Sequence, residues 1–189
     1  MTIRRGLYIG IVGLCALCAL GLFFHYREHA LNTTQNVGNI TCVTREYEAL
    51  VQGVSLEEIV KPGSLVRVQE GFYNCNPVRR GDVVAYHYAG NAAPVIKIVY
   101  GIPGDAWRVS MSASGTTIIL NEQNVTTPAG KTFLMTSKRA QMLSMYARDY
   151  PIIPADTYLL LGTDPWGTLD SSRFGLVHKN DLIGRARAQ

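Results

Sequence analysis

Apolar positions fall into one long unbroken run and several short alternating ones. Residues 7–24, LYIGIVGLCALCALGLFF, contain no charge. As a helix they would span about 27 Å, close to the ~30 Å hydrocarbon core of a bilayer. Arg4 and Arg5 precede the run and Arg27 follows it, a bias that favours an N-terminus inside and everything beyond residue 30 outside. A cleaved signal peptide is the rival reading. Its apolar core is usually shorter, about 7–15 residues, and here only Ala30 offers a cleavage point. The expected order is a cytoplasmic N-terminus over 1–6, a transmembrane anchor over 7–24 and a polar stalk over 25–41. A single globular domain follows over 42–189. Cys15 and Cys18, inside the span, read as apolar packing.

The shorter runs lie beyond the stalk. Leu65–Val68 follows a Lys61-Pro-Gly turn, and Val83–Tyr86 follows Arg80-Gly-Asp. Val95–Val99 closes in Gly101-Ile-Pro-Gly-Asp105, and Tyr158–Leu161 opens into a polar loop. Such segments, bounded by glycine and proline, read as strands. Residues 131–150, KTFLMTSKRAQMLSMYARDY, show no clean period and read as an insertion with a short helix.

One position breaks the apolar pattern. In Pro94–Asp105 a strand puts Val95, Lys97 and Val99 on one face, and Ile96 and Ile98 on the other. Burying a lysine charge is costly. Lys97 therefore either snorkels to water or is held neutral. A solvated lysine has a pKa of about 10.4, and burial can lower it by ~3–5 units. The second case would give a usable general base.

Composition narrows the class. The 189 residues suffice for one domain and an appendage, and 18 Gly, 8 Pro and many β-branched residues point to mainly β structure. The net charge of +4 includes Arg4, Arg5, Arg185 and Arg187 at the two ends. Without a basic stripe interleaved with aromatics, nucleic acid is excluded as a partner. His87 and His178 have no ligand cluster around them, so no metal site is expected, and no cofactor motif is present. Cys42 and Cys75 are the two cysteines outside the anchor; they form either a disulfide or two buried thiols.

Four blocks, in order, carry a resemblance. They are Ser55-Leu-Glu-Glu-Ile-Val-Lys-Pro-Gly63, Gly81-Asp-Val-Val84, Lys97-Ile-Val-Tyr-Gly-Ile-Pro-Gly-Asp105, and Gly162-Thr-Asp followed by Thr168-Leu-Asp-Ser171 and Phe174-Gly175. Together they resemble the type I signal peptidases and the related conjugative-transfer peptidases, membrane-anchored Ser/Lys proteases. The third block is the most specific. The resemblance implies a domain of twisted antiparallel sheets facing the periplasm or extracellular side of the inner membrane. It implies Ser55 as nucleophile and Lys97 as general base. Thr168 falls where the family has a serine that orients the lysine, and Asp170 matches a structural aspartate. Leu56, Val60 and Ile96 would line a shallow apolar pocket for a small residue; each is equally a core position.

Departures from the pattern are specific. Leu56 replaces Met, and Glu58-Ile59 replaces the Pro-Thr that stiffens the loop. Ile98 replaces Arg, and Gly53 stands where some members carry an oxyanion-donating serine. Ser172 occupies the place of an arginine, and Arg173, one position late, is expected to pair with Asp170. Trp166, in a polar loop, is the expected contact with membrane lipid.

The implied reaction is removal of signal peptides from exported preproteins with small residues before the cut. A dedicated peptidase for a conjugative pilin or secretion-system subunit fits the same blocks, and the closing Asp181-Leu-Ile-Gly-Arg-Ala-Arg resembles that branch equally. The altered Ser55 loop also admits an inactive, membrane-tethered scaffold.

Overall fold

Each short run becomes a strand, and each glycine or proline cluster becomes a turn between strands. The computed structural model describes residues 38–88, 93–112, 115–164 and 168–188. The expected cytoplasmic segment, the anchor over 7–24, the stalk up to residue 37 and Trp166 lie outside the described residues. Among the described residues no helix is long and apolar enough to cross a membrane.

Eleven strands are described: β1 (Arg45–Leu50), β2 (Leu65–Glu70), β3 (Val83–Tyr86), β4 (Val95–Gly101), β5 (Trp107–Ser112), β6 (Gly115–Leu120), β7 (Gln123–Asn124), β8 (Leu134–Met135), β9 (Thr157–Leu161), β10 (Val177–His178) and β11 (Leu182–Ala188). Seven form one sheet in the order β1-β2-β11-β3-β4-β9-β10, with antiparallel neighbours throughout. A smaller antiparallel sheet runs β5-β6-β7, with β8 also on β6. The mainly β, antiparallel expectation is met.

The larger sheet is apolar on both faces, so its central strands are buried along their length. Ala85, Ile96, Ile98, Tyr100, Leu159 and Leu161 belong to a core shared with Trp107, Ile118 and Leu120 of the smaller sheet. Val84, Tyr86, Val99, Tyr158 and Leu160 pack on the other side with Phe72, Tyr73, Val78 and Val177. The alternation along β4 is the one its sequence predicts, with Val95 and Val99 on the second face. Phe72, Tyr73 and Trp107 are therefore core residues.

The insertion folds into more than a short helix. Helix α1 runs Ser137–Asp149 and buries Ala140, Leu143 and Ala147. Those three positions follow helical spacing. The exposed Met142 and Met145 lie between them and hide the period in the sequence. A second helical turn, α2, spans Ser171–Phe174.

Cys42 and Cys75 form a disulfide, their Cα atoms 5.9 Å apart. It closes a loop of 33 residues in sequence, joining the chain before β1 to the end of the turn that follows β2. The other deep tie is Asp105, at the end of the Gly-Ile-Pro-Gly-Asp turn. Its carboxylate accepts two hydrogen bonds from Arg80 at 2.7 and 2.8 Å, one from Asn121 at 2.7 Å and one from the Ile102 N–H at 2.7 Å. Burial alone would raise its pKa, but the Ile102 N–H, Arg80 and Asn121 outweigh it and hold the group low. The turn after β4 is thus locked to the approach to β3 and to the β6–β7 turn. Asp105→Ala leaves three donors unmatched and should cost on the order of 2–3 kcal/mol. Urea unfolding, with the variant's midpoint set against wild type, measures this.

Candidate active site

The candidate site forms where β4 meets the loop after β1. Ser55 lies in a run of turns over 53–60, closed by Val60 N–H donating to the Leu56 carbonyl at 2.8 Å. Leu56 and Val60 anchor this loop in the core. The loop is also held from outside. The Ser55 carbonyl accepts from the Thr163 N–H at 2.7 Å and from its hydroxyl at 3.3 Å. Gly162 makes that approach feasible: a β carbon there would lie 2.7 Å from the Ser55 carbonyl oxygen and 2.8 Å from a Thr168 methyl. Gly53 has φ +79°, a left-handed conformation that disfavours any side chain there. The missing serine donor at 53 thus agrees with the local backbone.

Lys97 Nζ donates to Ser55 Oγ at 2.9 Å and to the Ile96 carbonyl at 2.7 Å. Residues 42 positions apart in sequence are brought together because β4 is central while the Ser55 loop crosses its end. Lys97 is only 3% exposed, so it does not snorkel. Burial lowers its pKa from 10.5 to about 8, against a smaller opposing pull from the Asp170 carboxylate. Near neutral pH a useful fraction of this amine carries no proton.

Asp170 is fully buried and caps α2. Its carboxylate accepts from the Gly162 N–H at 3.1 Å, the Ser172 N–H at 3.0 Å, the Ser172 hydroxyl at 2.5 Å and the Thr168 hydroxyl. The expected Asp170–Arg173 ion pair is not formed. Arg173 is exposed, and its backbone N–H, not its guanidinium, donates to Asp170, at the carbonyl. Ser172 gives Asp170 two neutral donors on α2. Among the described residues, Thr168 contacts Asp170 rather than Lys97, so its hydroxyl reaches the amine only through that carboxylate's field.

The three expected pocket residues are all buried, Leu56 at 1%, Val60 at 8% and Ile96 at 9% exposure, within one core cluster. Val60 also lines a cavity of about 620 Å³ together with Val66, Ile98, Tyr100 and Leu120. Neither Ser55 nor Lys97 is in its walls. A second cavity, about 600 Å³, lies against the Ser55 loop, with Val54, Glu57, Glu58 and Thr163 in its walls.

Sequence reasoning missed two supporting residues. Thr163 fixes the Ser55 carbonyl, and Arg139 of α1 donates to the Thr168 carbonyl at 3.3 Å. The first was signalled by its place in the fourth block. The second had no signal, because α1 was not recognised as packing on the site. Among the described residues no cluster of His, Cys, Asp or Glu could hold a metal.

The lowered Lys97 pKa has a sign for stability. Between about pH 8 and 10.5 the unfolded chain holds a proton that the folded chain has released. Stability therefore rises with pH across that window, and the deficit is complete below it. Lys97→Met, which removes the buried charge, should be more stable than wild type at pH 7 by on the order of 3 kcal/mol. The gap should shrink towards pH 10. Urea denaturation at pH 7 and 9.5 checks both.

The chain is similar to several known proteins. The family described as "Signal peptidase, peptidase S26" matches residues 33–189. Signal peptidase I of Bacillus caldolyticus is 24% identical over 144 residues, covering 72% of this chain and 74% of that protein. Signal peptidase IB of Staphylococcus aureus strain COL is 25% identical over 144 residues, covering 71% and 72%. A crystal structure of a signal peptidase I from Enterococcus faecalis V583 has 20% identity and a TM-score of 0.38, covering 58% of this chain and 97% of that one. The family match takes in every described element from β1 to β11, and the chain belongs to the peptidase S26 signal peptidase family, as a serine peptidase.

Proposed function

We propose that this chain removes signal peptides from exported preproteins, with Ser55 as nucleophile and Lys97 as general base, held at the outer face of the membrane by the apolar segment 7–24. The observation that carries this reading is the 2.9 Å contact between the Lys97 amine and the Ser55 hydroxyl, with the amine buried. A serine hydroxyl is a poor nucleophile until a base takes its proton. A neutral amine with a pKa near 8 can take it.

The steps follow from the pairing. Ser55 Oγ attacks the scissile carbonyl carbon while its proton passes to Lys97 Nζ. The oxyanion is received by the Ser55 main-chain N–H, since Gly53 has no side-chain donor. The C–N bond breaks as the ammonium returns the proton to the leaving amine, and an acyl ester remains on Ser55. Water then attacks the ester, its proton going to Lys97, and the C–O bond breaks as the ammonium returns that proton to Ser55 Oγ. Asp170 and Thr168 support the base. The carboxylate's field limits how far burial lowers the amine's pKa, and Thr168 helps fix that carboxylate.

Among the described residues β9 pairs with β4 only from Ile98 onward, which leaves Val95–Lys97 without a strand partner on that edge. An extended segment ending in small residues can add there as a strand, with Leu56, Val60 and Ile96 as the apolar floor.

The test uses detergent-solubilised full-length protein and a preprotein with an Ala-x-Ala site. Ser55→Ala and Lys97→Ala should each lower cleavage by at least 10³-fold. Lys97→Arg should be equally inactive, since a guanidinium does not lose its proton. Separately, kcat/KM should rise about tenfold per pH unit on the acid side and level off above about pH 8. A flat profile from pH 6 to 10 would contradict a lysine base.

A further inference from the structure

The roughly 600 Å³ cleft against the Ser55 loop has a chemistry that the reaction itself does not require. Its walls combine the exposed apolar side chains Val54 and Leu134 with three carboxylates, Glu57, Glu58 and Asp164. One cation, Lys131, faces Glu58 at 4.0 Å. We propose that this cleft binds a lysine or arginine side chain of the substrate, close after the scissile bond, and so selects preproteins by charge as well as by small residues before the cut. The proposal rests on the reading of Ser55 as nucleophile.

Three observations support it. First, no residue of β4 enters the walls, whereas Glu57, Glu58 and Thr163 all do. If the segment before the cut lies along the β4 edge, this cleft is left for the segment after it. Second, the walls match a long amphipathic side chain. A lysine or arginine stem can pack on Val54 and Leu134 while its head meets carboxylates. A small or acidic side chain uses neither.

Third, Glu58 keeps its charge. Burial would raise the Glu58 pKa, but Thr127, the Ala129 N–H at 3.0 Å and Lys131 outweigh it and hold the group low. Thr127 also lines the cleft, and its buried hydroxyl lacks a hydrogen-bond partner of good geometry among the described residues. Its influence on Glu58 is therefore one of proximity. Lys131 offsets Glu58, which leaves Glu57 as the exposed carboxylate with no ion pair among the described residues. Among the described wall residues, Lys131 offsets Glu58 and Glu57 adds a negative charge that it does not offset. Glu58 stands where the family pattern has proline, so its charge is a departure of this chain.

The test is a pair of peptides with the same Ala-x-Ala site, carrying Lys or Glu at the first two positions after the cut. Full-length wild type, Glu57→Lys and Ser55→Ala are assayed in parallel at low and high salt. The proposal expects wild type to cleave the Lys peptide with roughly tenfold higher kcat/KM at 50 mM salt, narrowing at 500 mM as screening grows. Glu57→Lys should bring the ratio to one or reverse it. Ser55-dependent cleavage with equal rates for both peptides would overturn the charge selection alone. So would a ratio unmoved by Glu57→Lys. Cleavage that survives Ser55→Ala, or no cleavage of either peptide by wild type, would remove the nucleophile reading and the selection with it.

Discussion

The structure depends on keeping one lysine amine dry beside one hydroxyl. Lys97 sits in the middle of a central strand, where its charge is expensive, and among the described residues its one side-chain hydrogen-bond partner is Ser55. The cost appears as a pKa lowered to about 8. A surface lysine would avoid that cost and would also be protonated and useless as a base at neutral pH. The same burial that weakens the fold prepares the chemistry proposed for it.

Asp170 shows how the site limits that penalty without cancelling it. A carboxylate paired directly to Lys97 would stabilise the ammonium and restore an ordinary pKa. Here the carboxylate is instead saturated by neutral donors from Gly162, Thr168 and Ser172. It remains close enough to act on Lys97 through space, but burial is the larger influence. The absence of the Arg173 pair has the same effect: the aspartate is held by the geometry of α2, whose first turn supplies N–H and hydroxyl groups. Ser172 thus helps hold the carboxylate without an arginine.

Loop placement is the second constraint. The proline that stiffens the serine loop in the family pattern is absent, and Glu58-Ile59 occupies its place. The loop is held instead from its sides. Leu56 and Val60 are buried in the core, and Thr163 binds the Ser55 carbonyl twice. Glu58 reaches outward to the Ala129 N–H and Lys131, tying the same loop to the segment before β8. The residue that replaces proline therefore supplies a tether and lines the acidic cleft in one position.

Much of this was legible in the order of residues. The strand alternation around Lys97, the turns that end each run and the four blocks follow from local chemistry, which depends on near neighbours. The fate of Cys42 and Cys75 was open from sequence, because a disulfide needs a Cα separation that only the fold supplies. Helix α1 was underestimated, because Met142 and Met145 are apolar yet exposed and mask the buried stripe of Ala140, Leu143 and Ala147. The partners of Asp170 were misjudged for a similar reason: whether Arg173 points inward depends on the rotation of α2, which no single residue declares. By itself the sequence determined which residue types were available, and that Lys97 would lie in the middle of an apolar strand. Tertiary structure decided that Ser55, 42 residues away, would meet it at 2.9 Å, because that distance depends on how β4 and the Ser55 loop pack into one core.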